Sequence, residues 1–292
     1  RWTPRLVPVE LVLNNKYVGL YFMTEHVRVG SKRVNIEEQI EGETQADLIT
    51  GGWLVEIDNY PTENNITFTE GNGQDIMVSL KDPEIISAEQ RNYIVNQMLE
   101  INTALYEKTP QHIERILDMK EAAKYYLVQE IMGDCESYHG SCYLYKDRDS
   151  LGMVDKWKFG PVWDFGSAFF YSKAQYIYQG REHHMTWIGE ICKFPRFIEH
   201  VKKIWNSFYD SQFDSIFNFT SNQLTLLSKA ASSDAQRWPK YGNANLSKRI
   251  SKVNDLLRTS GKWLDERWGI DTSIPEIETN QATIEYYNMQ GI

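Results

Sequence analysis

What narrows the fold of this chain most is a change of hydrophobic pattern at Pro83. Before it, runs rich in β-formers are separated by turn residues. RLVPVELVL (5–13) and KYVGLYFMTEHV (16–27), joined at Asn14-Asn15-Lys16, predict a β-hairpin. VRVGSKRVNIEEQIEG reads as a polar loop with one helical turn, and WLVEIDNY (53–60), after Gly51-Gly52, reads as a strand. NITFTE and DIMVSL around Gly71-Asn72-Gly73 predict a second hairpin.

After Pro83 the period becomes helical. Ser87 with Gln90 forms a capping-box pattern ahead of an apolar face at Ile94, Met98, Ile101 and Leu105. Thr109-Pro110 opens a further helix. Asp118 with Glu121 caps AAKYYLVQEIM, and Gly133 is placed to end it. Later helices are expected at PRFIEHVKKIWNSFY, SQFDSIFNFTSNQLTLLSKAAS and LSKRISKVNDLLRTSGKWLDERW. The expected fold is α+β: a sheet-rich part over 1–86, a helical part over 87–270 and a tail over 271–292.

Inside the helical part, residues 130–170 break the pattern. A helix end runs into an acidic loop with Asp134 and Glu136, then a short aromatic strand (SCYLYKD), a turn, and a second strand leading to Asp164 in a Trp-Asp-Phe-Gly corner. If the two strands pair antiparallel, the loop before the first and the corner after the second fall at one end of the hairpin, bringing the acids together. Paired acids of this kind commonly hold a divalent metal against phosphates. Asp164, between Trp163 and Phe165, is expected to be at least partly buried, where a carboxylate needs a partner or a metal. His139 lies in the same loop as a candidate phosphate contact. Glu25 and Glu56 stand among apolar strand neighbours and read equally well as ion-paired structural groups.

Composition excludes several classes. A net charge of -9 without a dense Lys/Arg stripe argues against a nucleic-acid partner. No apolar run approaches the ~18 residues of a membrane span. Three cysteines, Cys135, Cys142 and Cys192, have no metal-type spacing and read as small buried residues. His183-His184 lacks an H-E-x-x-H pattern and reads as a surface or loop pair. No phosphate-loop or nucleophile-elbow motif occurs. Aromatics at 13%, with nine Trp and seventeen Tyr, fit a thick core and also occur in extracellular carbohydrate-handling proteins.

Several segments, in order, resemble the CotH family of spore-coat-type atypical protein kinases. NKYVGLYFMTEHV is similar to its N-x-Y-x-G-L-Y-x-x-x-E strand and GGWLVEID to its G-G-Y-L-x-E-x-D strand. SCYLYKD followed by GPVWDFGSAF resembles its N-Y-x-L-Y and P-W-D-x-D-x-x-F-G core, and TWIGEICKFPRFIEHVKKIW its D-P-x-F segment. The likeness covers roughly residues 8–210 and begins after the family's Arg-Gly-Asn and Lys-Lys-Pro-Tyr region.

The resemblance implies a two-lobed, kinase-like fold, ATP with Mg²⁺ or Mn²⁺, and transfer of the γ-phosphoryl to Ser or Thr of a partner protein. Asp164 matches the family's metal-binding Asp. Counting back from Tyr145 places Ser141 at the family's metal-ligand Asn and Glu136 at its catalytic Asp, with Asp134 as a second candidate base; Gly166 replaces a second Asp. Lys32 and Arg33 with Glu25, or Lys146, would supply the cation on the phosphates. The alternative reading is a non-catalytic kinase-like scaffold that binds protein or glycan; a secreted or bacterial-surface location is favoured for either.

Overall fold

A computed structural model of the chain describes residues 2–58, 60, 65–69, 75–169, 187–240 and 245–269. The hairpin tip at 71–73, most of the covering loop after Phe169, His183 and His184, and the tail 271–292 lie outside the described residues.

The N-terminal hairpin forms as the Asn pair requires. β1 (Leu6–Leu13) and β2 (Lys16–Thr24) pair antiparallel, and Asn14 and Asn15 both hold positive φ, 49° and 59°, as a type I′ turn demands. This ribbon is a sheet of its own. The loop after it carries a Val29–Val34 bridge and bends but no helical turn, correcting that expectation.

A second sheet has the order β4-β5-β3-β6-β7, every pair antiparallel: β3 (Trp53–Ile57), β4 (Asn65–Thr69), β5 (Asp75–Asp82), β6 (Cys142–Lys146) and β7 (Lys158–Phe159). The hairpin from the helical half therefore docks on β3, with Trp53 opposite Lys146 and Ile57 opposite Cys142. Strand alternation divides the two faces. Trp53, Val55, Ile57, Val78, Leu80 and Leu144 face the main core, while Leu54 and Tyr143 belong to a smaller cluster with Val27, Val29, Val34 and Ile36.

The helices follow their caps. α1 (Ala88–Tyr106) starts at a complete Ser87/Gln90 capping box, and α2 (Pro110–Ile116) has Pro at its first turn. In α3 (Met119–Met132), Asp118 accepts the N–H groups of Lys120 and Glu121, and Gly133 ends it in the left-handed region at φ 60°. α4 (Trp187–Ile191), α5 (Pro195–Ser211), α6 (Ser215–Arg237) and α7 (Leu246–Trp268) complete the described elements. Trp205, Leu257 and Leu264 join Tyr126 in the main core, so one apolar interior runs from β3 to α7 across Pro83. Among the described residues no helix is long and apolar enough to cross a membrane.

Candidate functional site

The acidic loop begins where Gly133 turns the chain out of α3. Two tyrosines pin it from below: Tyr125 donates its hydroxyl to the Ser137 carbonyl at 2.9 Å, and Tyr138, 2% exposed, donates to Glu130 at 3.0 Å. Within the loop, Gly140 N–H bonds the Glu136 carbonyl at 2.9 Å and the Ser137 hydroxyl bonds the Asp134 carbonyl at 2.5 Å. His139 N–H also bonds the Glu136 carbonyl, at 3.2 Å.

Asp134 is 1% exposed and accepts Glu136 N–H at 3.1 Å. Burial pushes its carboxyl up to about 6; the Glu136 N–H pulls the other way, and the neighbouring Glu136 and Asp164 carboxylates push it further up. Antiparallel pairing of β6 and β7 returns the chain to the end of the hairpin where the loop lies, the end at which Asp164 follows β7. The corner itself is short. Gly160 N–H bonds the Tyr143 carbonyl at 2.7 Å, Trp163 packs on the smaller cluster, and Phe169 N–H bonds the Met132 carbonyl at 2.8 Å, clasping corner and loop together.

Asp164 itself is exposed, with φ 53°, and its Oδ1 accepts Gly166 N–H at 3.0 Å. The expectation of a buried Asp164 is thereby corrected: the acid taken out of water is Asp134, and Asp164 reaches solvent from a left-handed turn residue that Asp tolerates. Glu136 is exposed and Ser141, at φ 51°, is half-buried at the start of β6.

The basic residues divide. Arg33 lies 3.0 Å from Glu25, which also takes three bonds from Arg5, and the Arg5 hydrogen bonds first of all hold the Glu25 carboxyl down at about 2. Lys32 and Arg33 line a 330 Å³ cavity with Trp2, Tyr145 and Pro161, at the foot of the Trp-Asp-Phe-Gly corner. Two N–H groups of that lining, Trp2 Nε1 and Arg33 Nε, are buried without a protein acceptor. Lys146 is placed elsewhere: 1% exposed, its ammonium donates to the Thr50 carbonyl and Asp149, both at 2.5 Å.

Sequence reasoning did not single out Lys81, which lies 2.5 Å from Glu56 on the neighbouring strand. Glu56, 4% exposed, has its carboxyl raised chiefly by burial and shares the outer sheet face with Tyr143. The signal was the alternation of DIMVSLKD, which puts Ser79 and Lys81 on one face, but only the pairing of β3 with β5 brings that face to Glu56.

The comparison that decides the family is a match of residues 2–264 to the family model described as CotH kinase protein. The chain belongs to the CotH family. No curated protein matches it. Within this CotH-family chain, the segments that carried the resemblance fall on β2, β3, β6, the corner that follows β7, and α4–α5.

The oxygen donors around the loop suit a hard divalent ion. Among the described residues no three His, Cys, Asp or Glu side chains converge as a metal cage. Mg²⁺ needs no such cage, because it is usually held by one or two carboxylates together with waters and substrate phosphates. A buried Asp134 and an exposed Asp164 at the same end of the β6–β7 hairpin are carboxylates of the number that pattern calls for.

Proposed function

We propose that this CotH-family protein transfers the γ-phosphoryl group of ATP to a Ser or Thr hydroxyl of a partner protein, within a kinase-like division into lobes. The observation that carries the proposal is Asp134. It is a buried carboxyl poised at about 6, at the same end of the β6–β7 hairpin as an exposed Asp164. A general base is most effective when its pKa lies near the working pH.

In this reading Asp134 receives the proton of the attacking hydroxyl. The hydroxyl oxygen bonds to the γ-phosphorus, the bond to the bridging oxygen breaks, and ADP leaves. Asp164 and the Ser141 hydroxyl would hold Mg²⁺, which when bound neutralises charge on the phosphates. Glu136 donates its N–H to Asp134 and orients it. Lys32 and Arg33 place positive charge, and the unpartnered Arg33 Nε–H, at a cavity beside the corner where phosphates would be received.

Thermal unfolding with and without ATP plus Mg²⁺ or Mn²⁺ tests the binding half, because a ligand that binds only the folded state raises its apparent stability. A shift in the wild type that Asp164→Asn abolishes is expected; no shift, or the same shift in the variant, sinks the proposal. Transfer of labelled γ-phosphate tests the chemistry. Asp134→Asn is expected to lower the rate by roughly a hundredfold or more, with a much smaller loss in Glu136→Gln.

The non-catalytic scaffold retains one specific support. The β1–β2 ribbon leaves Leu6 (60%) and Phe22 (56%) in water on one face, a patch suited to a binding partner. ATP binding without transfer to any protein would favour that reading.

A further inference from the structure

A concavity that the proposed chemistry leaves unused lies between α3 and α5. It encloses 570 Å³. Its floor is apolar: Leu127, Val128 and Ile131 come from one helix, Ile204, Trp205 and Phe208 from the other. Both sets recur at the three-to-four-residue spacing of a helical face, so the two walls present ridges with a groove between them. Val128 is 38% exposed, so part of this floor meets water.

The rim is basic. Lys120, Lys124, Arg196 and Lys203 line it, with Glu199 as the single acid among the lining residues. Lys124 is paired with Glu121 and Arg196 with Glu199, at 2.6 and 2.7 Å. Lys120 and Lys203 have no carboxylate within salt-bridge distance among the described residues. At one end the groove continues into a 280 Å³ cavity that shares Lys120, Arg196 and His200 and adds Lys156 together with the acids Glu114 and Asp118. The excess of cations on the groove's own rim sits on a chain whose net charge is -9.

We propose that the α3–α5 groove docks an acidic amphipathic helix of a partner protein. An apolar groove between two helices takes a third helix by its apolar stripe. The charges select which helix. A strongly acidic segment is repelled by most of this surface and attracted at this rim, so the contrast both steers the encounter and fixes the location. The site is concave, which fits a helix and not the plane of a bilayer. The inference does not rest on phosphoryl transfer, since the groove is lined by none of the residues assigned to it.

Fluorescence anisotropy with two designed, labelled peptides of about four helical turns tests it. Both carry Leu at positions i, i+3, i+4 and i+7; one is flanked by Glu and the other by Lys. The Glu peptide is expected to bind the full chain, and the Lys peptide to bind roughly tenfold or more weakly. Lys124→Glu combined with Lys203→Glu should reverse that preference, and Val128→Glu should weaken the Glu peptide by a similar factor; circular dichroism confirms that each variant is folded. Reversal of preference is a result that a merely structural role for the lysines would not produce. Equal binding of both peptides, binding indifferent to all three substitutions, no binding of either, or co-sedimentation with phosphatidylglycerol vesicles in place of peptide binding would each overturn the proposal.

Discussion

Asp134 combines two properties that pull against each other. Its carboxyl is 1% exposed, and burial raises it from the ordinary 3.8 to about 6. Below about pH 3 both folded and unfolded chains hold the proton, so the group costs almost nothing there. Between about 4 and 6 the unfolded chain ionises first, and stability falls as pH rises, levelling off above about 6. Asp134→Asn keeps an oxygen for the Glu136 N–H and removes the buried charge. It is expected to stabilise the fold by on the order of 2 kcal/mol at pH 7 and by almost nothing at about pH 3, in urea unfolding. A gain in stability with a loss of phosphoryl transfer would mark Asp134 as a group kept for function. Ser141 offers a second test. Its φ of 51° is one that Asn adopts more readily than Ser, so Ser141→Asn is expected to raise stability by about 0.5 kcal/mol and to enlarge the Mg-ATP thermal shift. The sequence placed the acids of 134, 136 and 164 at one end of a single hairpin. It did not give their exposure, which depends on what packs over each residue: Asp134 is buried, while Asp164 stands exposed on a left-handed turn residue.

At the scale of elements, the β1–β2 ribbon shows how a hairpin that is marginal alone is held in place. The carboxylate of Asp234, near the end of α6, accepts Leu20 N–H at 2.9 Å, and Trp238 donates its indole N–H to the Val18 carbonyl at 2.7 Å. These bonds need the helix end close against β2. Gly19 allows it: with φ at 146°, a Cβ there would stand 2.7 Å from Asp234 Oδ1 and 3.0 Å from Trp238 Nε1. Gly19→Ala is therefore expected to cost about 2 kcal/mol and to accelerate amide exchange at Leu20, with little effect at Leu144 in β6. The Asn14-Asn15 turn was readable because its requirement is local. The need for Gly19 was not, because the atoms that would clash with its Cβ belong to residues more than two hundred positions later.

Across the whole molecule, the β6–β7 hairpin binds the two halves of the chain into one interior. Its Leu144, fully buried, packs in the same core as Val55 from before Pro83 and Tyr126 from after it. Leu144→Ala is expected to cost roughly 2–5 kcal/mol and to shift a single unfolding transition by the same amount whether the sheet or the helices are monitored. Separate transitions for the two halves would contradict a shared core. The sequence alone determined what neighbours in the chain decide: the Asn-Asn turn, the Ser87 capping box, the Asp118 cap, the Gly133 stop, the order of strands and helices, and the family motifs. Tertiary structure decided what depends on distant partners. Lys146 is sequestered against Thr50 and Asp149, Lys81 pairs with Glu56, and a hairpin from the helical half completes the N-terminal sheet. The reason is physical. Caps and turns are satisfied by backbone groups a few residues away, whereas burial, ion pairing and strand order are set by surfaces that meet only when the chain has folded.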